Sequence, residues 1–559
     1  MRKLFLLFAF MASTILSFGA VPEDQFRFVS NQDGSIVGLA QIASHQTLEY
    51  SLEGNTWHNL TTETTISLSK NVVLYVRGKL TNNNTIDDFT QFTLTGSIEA
   101  KGNINYIWDY ENLDAPLKKF CGRKLFSECK GLTNISQLQL PSTTLANECY
   151  RNMFAACVSL QDISNLQLPA TSLAKACYFN MFLGCHNINS LPQLIATNLA
   201  SQCYRGMFAE CDGLTNISGF VLPAKELADS CYMNMFSRCT NLTTACALPA
   251  TKLANACYLA MFNDNPNLVN VPALPATTLT EKCYRSMFRN CTNLTTAPEL
   301  PSTNLAEDCY REMFLGCSSL TIAPELSALT LTENCYRGMF QGCSALETAP
   351  ALPALILVDS CYRSMFYNCT SLAIAPVLPA KTLTNQCYYA MFQLCSKLNY
   401  IKCLATNISA SSCTQNWVQG VAASGTFIKD VNMNDWATST SGIPSGWTTQ
   451  SVTVYTITWL QDDGSLIDKT MVDAGQIPTH VIPTKEPTAE YIYTFVKWAP
   501  EVVAATENAT YIAIYETHPI PTALDDVNAD ARATKILRNG QVFILRGNKT
   551  YTVTGLEVR

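Results

Sequence analysis

Twenty-four cysteines give this chain its most obvious reactive groups, and three chemistries are open to them. A thiolate can attack an electrophile, hold a metal, or enter a disulfide. Most of these cysteines fall in a recurring C-Y-x-x-M-F-x-x-C that begins at Cys149, Cys177, Cys203, Cys231, Cys257, Cys283, Cys309, Cys335, Cys361 and Cys387. A cysteine nucleophile needs a histidine partner and an electropositive setting, whereas these cysteines recur in unit after unit. The five histidines (His45, His58, His186, His480 and His518) recur at no fixed position. Seven residues between paired cysteines is not a zinc-ligand spacing either. The sequence carries no GxSxG, no HExxH and no phosphate-cradling glycine loop. It therefore reads as a non-enzyme with no cofactor, no metal and no catalytic residues.

The elements that carry the cysteines are repeats. Successive copies start 26 or 28 residues apart, a degenerate copy opens the series at Cys121, and another closes it at Cys413. That makes about twelve units with atypical ends, as capping repeats should be. Within a unit, Cys283, Met287, Phe288 and Cys291 stand at offsets 0, 4, 5 and 8, which predicts one face of a short helix. Leu294 and Leu300 then lie along an extended segment that Pro301 ends. These six residues are the expected repeat core. Four charged pairs, Glu281 with Arg285, Glu307 with Arg311, Glu333 with Arg337 and Asp359 with Arg363, have i,i+4 spacing in the favourable order. On a helix each is worth about 0.2–0.5 kcal/mol, the carboxylates meet the positive end of the dipole, and the arginines point to solvent. Such an internally paired face is preferred to a basic ladder for an anionic partner.

On a helix, offsets 0 and 8 are ~12 Å apart, and equivalent positions on packed helices are usually ~8–10 Å apart. Both exceed disulfide reach. Asn265 also replaces the second cysteine of the unit that starts at Cys257. Buried free thiols acting as small hydrophobes are the preferred reading, ahead of disulfides and further ahead of metal.

The segment CYRSMFRNCTNLTTAPELPSTNLAEDCYREMF and its sister copies, with the closing CTQNWVQGVAASGTFIK, resemble the BspA-like leucine-rich repeats on surface proteins of host-associated bacteria and some protists. The resemblance covers residues 115–448. It implies an α/β repeat solenoid of the leucine-rich-repeat kind, with a strand and a short helix in every 26–28 residues. It also implies adhesion to host matrix or serum proteins or to other bacteria. The strand positions are mostly Ala, Pro, Leu and Thr, so no aromatic or charged hot spot marks a binding face.

Small all-β domains are expected on either side. Arg2 and Lys3 precede an apolar run from Leu4 to Leu16 and small residues at Ser17, Gly19 and Ala20, the order of a secretory signal peptide over residues 1–20. Residues 21–114 alternate as strands and are placed to cover the open edge of the first repeat. Residues 451–516 read as a small β-grasp-like domain with Trp459 and Trp498 in its core, followed by a linker over 517–532. Residues 533–559 resemble the C-terminal sorting segments of the type IX secretion route in Bacteroidota, through Lys535, Gly540, Ile544, Gly547, Tyr551 and Gly555. The implied location is the outer-membrane surface or the extracellular space. A net charge of -7 supplies no field for nucleic acid, and no stretch is long enough to span a membrane. The expected function is adhesion or protein–protein interaction with host or bacterial partners. Capture of a glycan or peptide nutrient, or a spacer presenting the terminal β domains, are the alternatives.

Overall fold

The computed structural model describes residues 21–520, 534–538, 541–546, 549–552 and 557–558. The expected signal segment and most of the expected linker lie outside the described residues. The chain divides into two compact units between Val452 and Thr453. Segments 21–114 and 115–448 thus belong to one unit, and a single hydrophobic core runs through both.

Alternating apolar and polar residues build the N-terminal strands, because successive side chains in a strand point to opposite faces. They are β1 (Arg27–Ser30), β2 (Ser35–Gln41), β3 (Gln46–Ser51), β4 (His58–Asn59), β5 (Thr65–Leu68), β6 (Val73–Leu80), β7 (Gln91–Thr95) and β8 (Ile98–Asn103). β6 alternates half-buried and buried along its whole length. One sheet runs β8-β1-β6-β3-β4 and a second runs β5-β2-β7. A single helical turn, α1 (Asn105–Trp108), is buried behind them. β8 then pairs in parallel with β9 (Leu132–Asn134) and β10 (Leu138–Gln139), which are part of the first repeat. The leading edge of the repeat array is thereby covered by the N-terminal sheet.

Among the described residues α1 is the one α-helix, and this overturns the strand-plus-helix leucine-rich-repeat solenoid. The segment around each Cys-Tyr-x-x-Met-Phe is instead a run of β-turns. Its N–H groups alternate between two jobs. Cys283, Arg285, Met287, Arg289 and Cys291 donate to the carbonyl three residues back, at 3.2 Å each. Lys282, Tyr284, Ser286, Phe288 and Asn290 donate to Glu307, Cys309, Arg311, Met313 and Leu315 of the next unit, at 2.7–3.1 Å. A helix would keep these bonds within the segment. Here half of them stitch one unit to the next, and every donor of the segment has a partner.

The turn run repeats every four residues. Lys282, Ser286 and Asn290 all have positive φ, of 59°, 54° and 57°. A winding of four residues per cycle places offsets 0, 4 and 8 on one face and 1 and 5 beside them. A helix would rotate offset 8 about 80° away from offset 0 at its 100° per residue.

The expected strands shrink to isolated bridges. Thr296, Ile322, Thr348, Ile374 and Tyr400 are linked successively by single parallel bridges. Pro298, Pro324, Pro350 and Pro376 follow two residues after the first four, and proline has no N–H to continue a ladder. Ile401 and Lys402 follow Tyr400, and there strands resume after β9 and β10 of the first repeat. β11 (Tyr400–Cys403), β12 (Thr426–Asp430) and β13 (Thr448–Val452) form a parallel sheet in that order.

The second unit holds β14 (Val454–Leu460), β15 (Leu466–Asp473), β16 (Tyr491–Ala499) and β17 (Ala509–Pro519) in the order β15-β14-β17-β16, with the central pair parallel. Ile457, Trp459, Ala505 and Tyr511 are its buried cluster, and Trp498 packs against it. β18 (Thr534–Arg538), β19 (Gln541–Arg546), β20 (Lys549–Thr552) and β21 (Glu557–Val558) form a sheet in sequence order.

Candidate interaction surface

The turn runs decide what the repeat can present, because they assign every reactive side chain a structural task. All six residues of the expected repeat core, Cys283, Met287, Phe288, Cys291, Leu294 and Leu300, are buried. Rings at offsets 1 and 5 stack in register. Tyr258 and Tyr284 lie 5.9 Å apart at 3°, and Phe262 and Phe288 do the same. The columns end on Trp417, which stacks on Trp436 at 5.4 Å. The units are therefore closer than packed helices, and the helix spacing does not account for the absence of disulfides.

All 24 cysteines are free and buried. At offset 8 the thiols after the first unit donate to the carbonyl of the offset-5 phenylalanine one unit earlier: Cys291 to Phe262 at 3.3 Å, Cys317 to Phe288 at 3.1 Å, Cys343 to Phe314 at 3.2 Å and Cys369 to Phe340 at 3.1 Å. Cys129 of the first unit donates to Phe92 in β7 at 3.2 Å. Asn265 keeps the pattern, since its Nδ2 donates to Phe236 at 2.8 Å and to Phe262 at 3.0 Å. Burial pushes the thiols of Cys129, Cys185, Cys239, Cys317 and Cys395 up to about 12. Such thiols stay protonated at neutral pH, which makes them poor nucleophiles.

The charged pairs are rearranged by the same geometry. None of the four expected i,i+4 pairs forms among the described residues; Arg363 donates to Gln386, and Asp359 accepts from Asn385. Arg285 meets Asp308 of the next unit at 3.3 Å, and Arg311 meets Asp308 at 3.4 Å and Glu312 at 3.2 Å. Glu281 pairs with Lys282, and Glu307 is exposed. Glu333 accepts from Asn334 at 3.4 Å, while Arg337 donates to the Asn334 side chain at 3.5 Å. Arg285, Arg311 and Arg337 are half-buried instead of pointing into solvent. Without a helix there is no dipole for the carboxylates to meet. In the expected sorting segment, Ile544 and Tyr551 face each other across β19 and β20, and Gly540, Gly547 and Gly555 lie outside the described residues.

With the interior committed, the units differ in their exposed loops, and the 28-residue units stand out there. Their two extra residues fold into one additional turn, closed by Leu138 N–H to Ile135, Leu166 N–H to Ile163 and Phe220 N–H to Ile217, at 2.9–3.1 Å. The third of these turns is anchored by Phe220, whose ring packs edge-on against Phe208 and Phe236 at 6.0 and 5.8 Å. A cleft of about 580 Å³ opens between this turn and the preceding Asn189–Ile195 segment. Val221 (65% exposed) and Ile195 (45%) flank it, and no ionisable side chain lines it. A second cleft, of about 470 Å³, lies on the other side of the turn, between Ser218 and the proline-rich segment around Pro249 and Pro272.

No sequence feature singled out this turn, although the two-residue insertion that builds it was visible as a 28-residue spacing. Among the described residues, no group of three or more His, Cys, Asp or Glu side chains is placed to hold a metal, and no helix is long and apolar enough to cross a membrane. No family model matches the chain, and no curated protein sequence matches it.

Proposed function

We propose that this is an exported surface protein that binds other proteins, and that the Ile217–Val221 turn with its flanking cleft is the contact. The supporting observation is the cleft itself. It joins exposed Ile195 and Val221 to an uncharged lining, on a turn held by buried aromatic contacts. Apolar anchors in a concave, preformed site are the usual centre of protein recognition. Export and surface display rest on the N-terminal pattern and on the tail's resemblance to sorting segments. The partners in this reading are host matrix or serum proteins, or surface proteins of other bacteria.

The test uses the whole chain and its Ile195→Asp/Val221→Asp variant, on immobilised fibronectin, fibrinogen and laminin and on bacterial cells. Both residues are exposed, so the fold should survive the change. The expected result is binding to at least one surface by the wild type, weakened at least tenfold in the variant. No binding to any surface, or equal binding by both proteins, would overturn the proposal.

A further inference from the structure

The first two repeats carry a pattern that protein binding at the Ile217–Val221 turn leaves unused. They read SQLQLP and SNLQLP over 136–141 and 164–169. Leu138, Leu140, Leu166 and Leu168 point inward and are buried, whereas Gln137, Gln139, Asn165 and Gln167 are exposed. These positions are equivalent in successive units, so the four amides form a two-by-two grid on neighbouring units, whose equivalent rings Phe126 and Phe154 stack at 5.4 Å. The third 28-residue unit, SGFVLP, has no such amides.

The grid forms one wall of a cleft of about 780 Å³ whose other wall is the Glu23–Arg27 segment. This volume is within the range of small-molecule sites. Among the described residues the Gln137, Gln139 and Asn165 side chains make no hydrogen bond, and the Gln167 amide reaches only the Asn165 carbonyl, at 3.2 Å. Asp24 accepts from the Tyr106 hydroxyl at 3.3 Å, which leaves its second oxygen free. Arg27 is committed to the carbonyls of Glu23 at 2.7 Å and Gln25 at 3.0 Å.

We infer that this cleft binds a neutral oligosaccharide. A primary amide offers a donor and an acceptor side by side, and a sugar hydroxyl needs both. The carboxylates of Glu23 and Asp24 accept hydroxyl protons and disfavour an anionic ligand, while Arg27 is already engaged. No aromatic ring lines the cleft, so recognition proceeds through hydrogen bonds and follows hydroxyl stereochemistry. The site is separate from the proposed protein-binding turn, and each can fail without the other.

The experiment is calorimetric titration of the full chain with three hexasaccharides: β-1,4-linked glucose, β-1,4-linked N-acetylglucosamine and α-1,4-linked glucose. Saturable binding of at least one is expected, weakened at least tenfold by Gln137→Ala/Gln139→Ala/Gln167→Ala. The variant Glu299→Ala, at the position equivalent to Gln139 in a later unit, should bind like the wild type. Glu23→Gln tests the opposite wall without touching the repeat and should weaken binding severalfold. Protein binding by the triple variant should be unchanged. Absence of binding to all three sugars, or binding that survives both the triple variant and Glu23→Gln, would overturn the inference.

Discussion

The repeat array and the C-terminal β14–β17 sheet hold themselves together in opposite ways. In the array, half of each turn segment's N–H groups bond the next unit, thiols cap phenylalanine carbonyls, and rings stack in two columns. The sheet unit has a small buried core of Ile457, Trp459, Ala505, Tyr511 and Ala513, and leaves Ile492, Val496, Ile512 and Ile514 exposed on its strands. All 24 cysteines lie between Cys121 and Cys413, so the sheet has none. An interior of identical columns can be extended unit by unit. It also couples every unit to its neighbours, so local damage spreads.

Alkali should separate the two most sharply. A thiol whose folded value is raised to about 12 from an ordinary 9 stabilises the fold fully below pH 9. That contribution is lost as pH rises toward 12, because the unfolded chain releases its proton first. The array carries many such thiols and the sheet none. The array should therefore unfold progressively above about pH 9, while the tryptophan signal of Trp459 in the sheet persists. A circular-dichroism titration would show this, and simultaneous loss of both regions would break the contrast.

Removing a column member should have the next largest effect. Phe288→Ala leaves a hole between Phe262 and Phe314 and should cost about 3–5 kcal/mol. Trp459→Ala should cost a similar amount but unfold only the C-terminal sheet. Denaturant unfolding followed separately in each unit would distinguish them.

The thiol ladder makes a narrower prediction. Asn265 is fully buried and its Oδ1 has no partner, an arrangement that costs about 1–3 kcal/mol. Asn265→Cys should keep the donor to Phe236, remove the orphaned acceptor, and stabilise the array by about 1 kcal/mol. Cys317→Asn should be tolerated better than Cys317→Ala, since only the former still caps Phe288. If alanine and asparagine are equivalent at Cys317, the thiol serves as filler and not as a donor.

Glycines test the four-residue winding. A Cβ on Gly316 (φ 77°) would stand 2.2 Å from Asn290 Oδ1, whereas one on Gly464 (φ 82°) in the second unit meets open space. Both alanine variants incur the left-handed penalty of about 1 kcal/mol, and only Gly316→Ala adds a clash. These glycines also show what was legible. The repeat, its inward residues and the sheet-forming flanks could be read from spacing and alternation. The winding could not, because offsets 0, 4, 5 and 8 satisfy a helix nearly as well as a four-residue turn. The discriminating signal was present in Gly206 and Gly338 at offset 3, and in Gly184, Gly316, Gly342 and Gly420 at offset 7. A helix interior disfavours glycine by ~1 kcal/mol at each such position, whereas a recurring positive φ favours it. The clefts were less legible still, since they depend on how an inserted turn sits beside its neighbouring unit.

The smallest effect is the most pointed test of winding against helix. A helix couples Glu281 to Arg285, whereas the turn run couples Arg285 to Asp308 in the next unit. A double-mutant cycle on Arg285→Ala and Asp308→Ala should return a coupling of about 0.5–1 kcal/mol, the upper end for partly exposed pairs. The cycle on Arg285→Ala and Glu281→Ala should return about zero, because those side chains share no contact. The measurement isolates the pair from its surroundings, so a coupling in the second cycle that exceeds the first would restore the helix at this position, whatever the total stability of either variant.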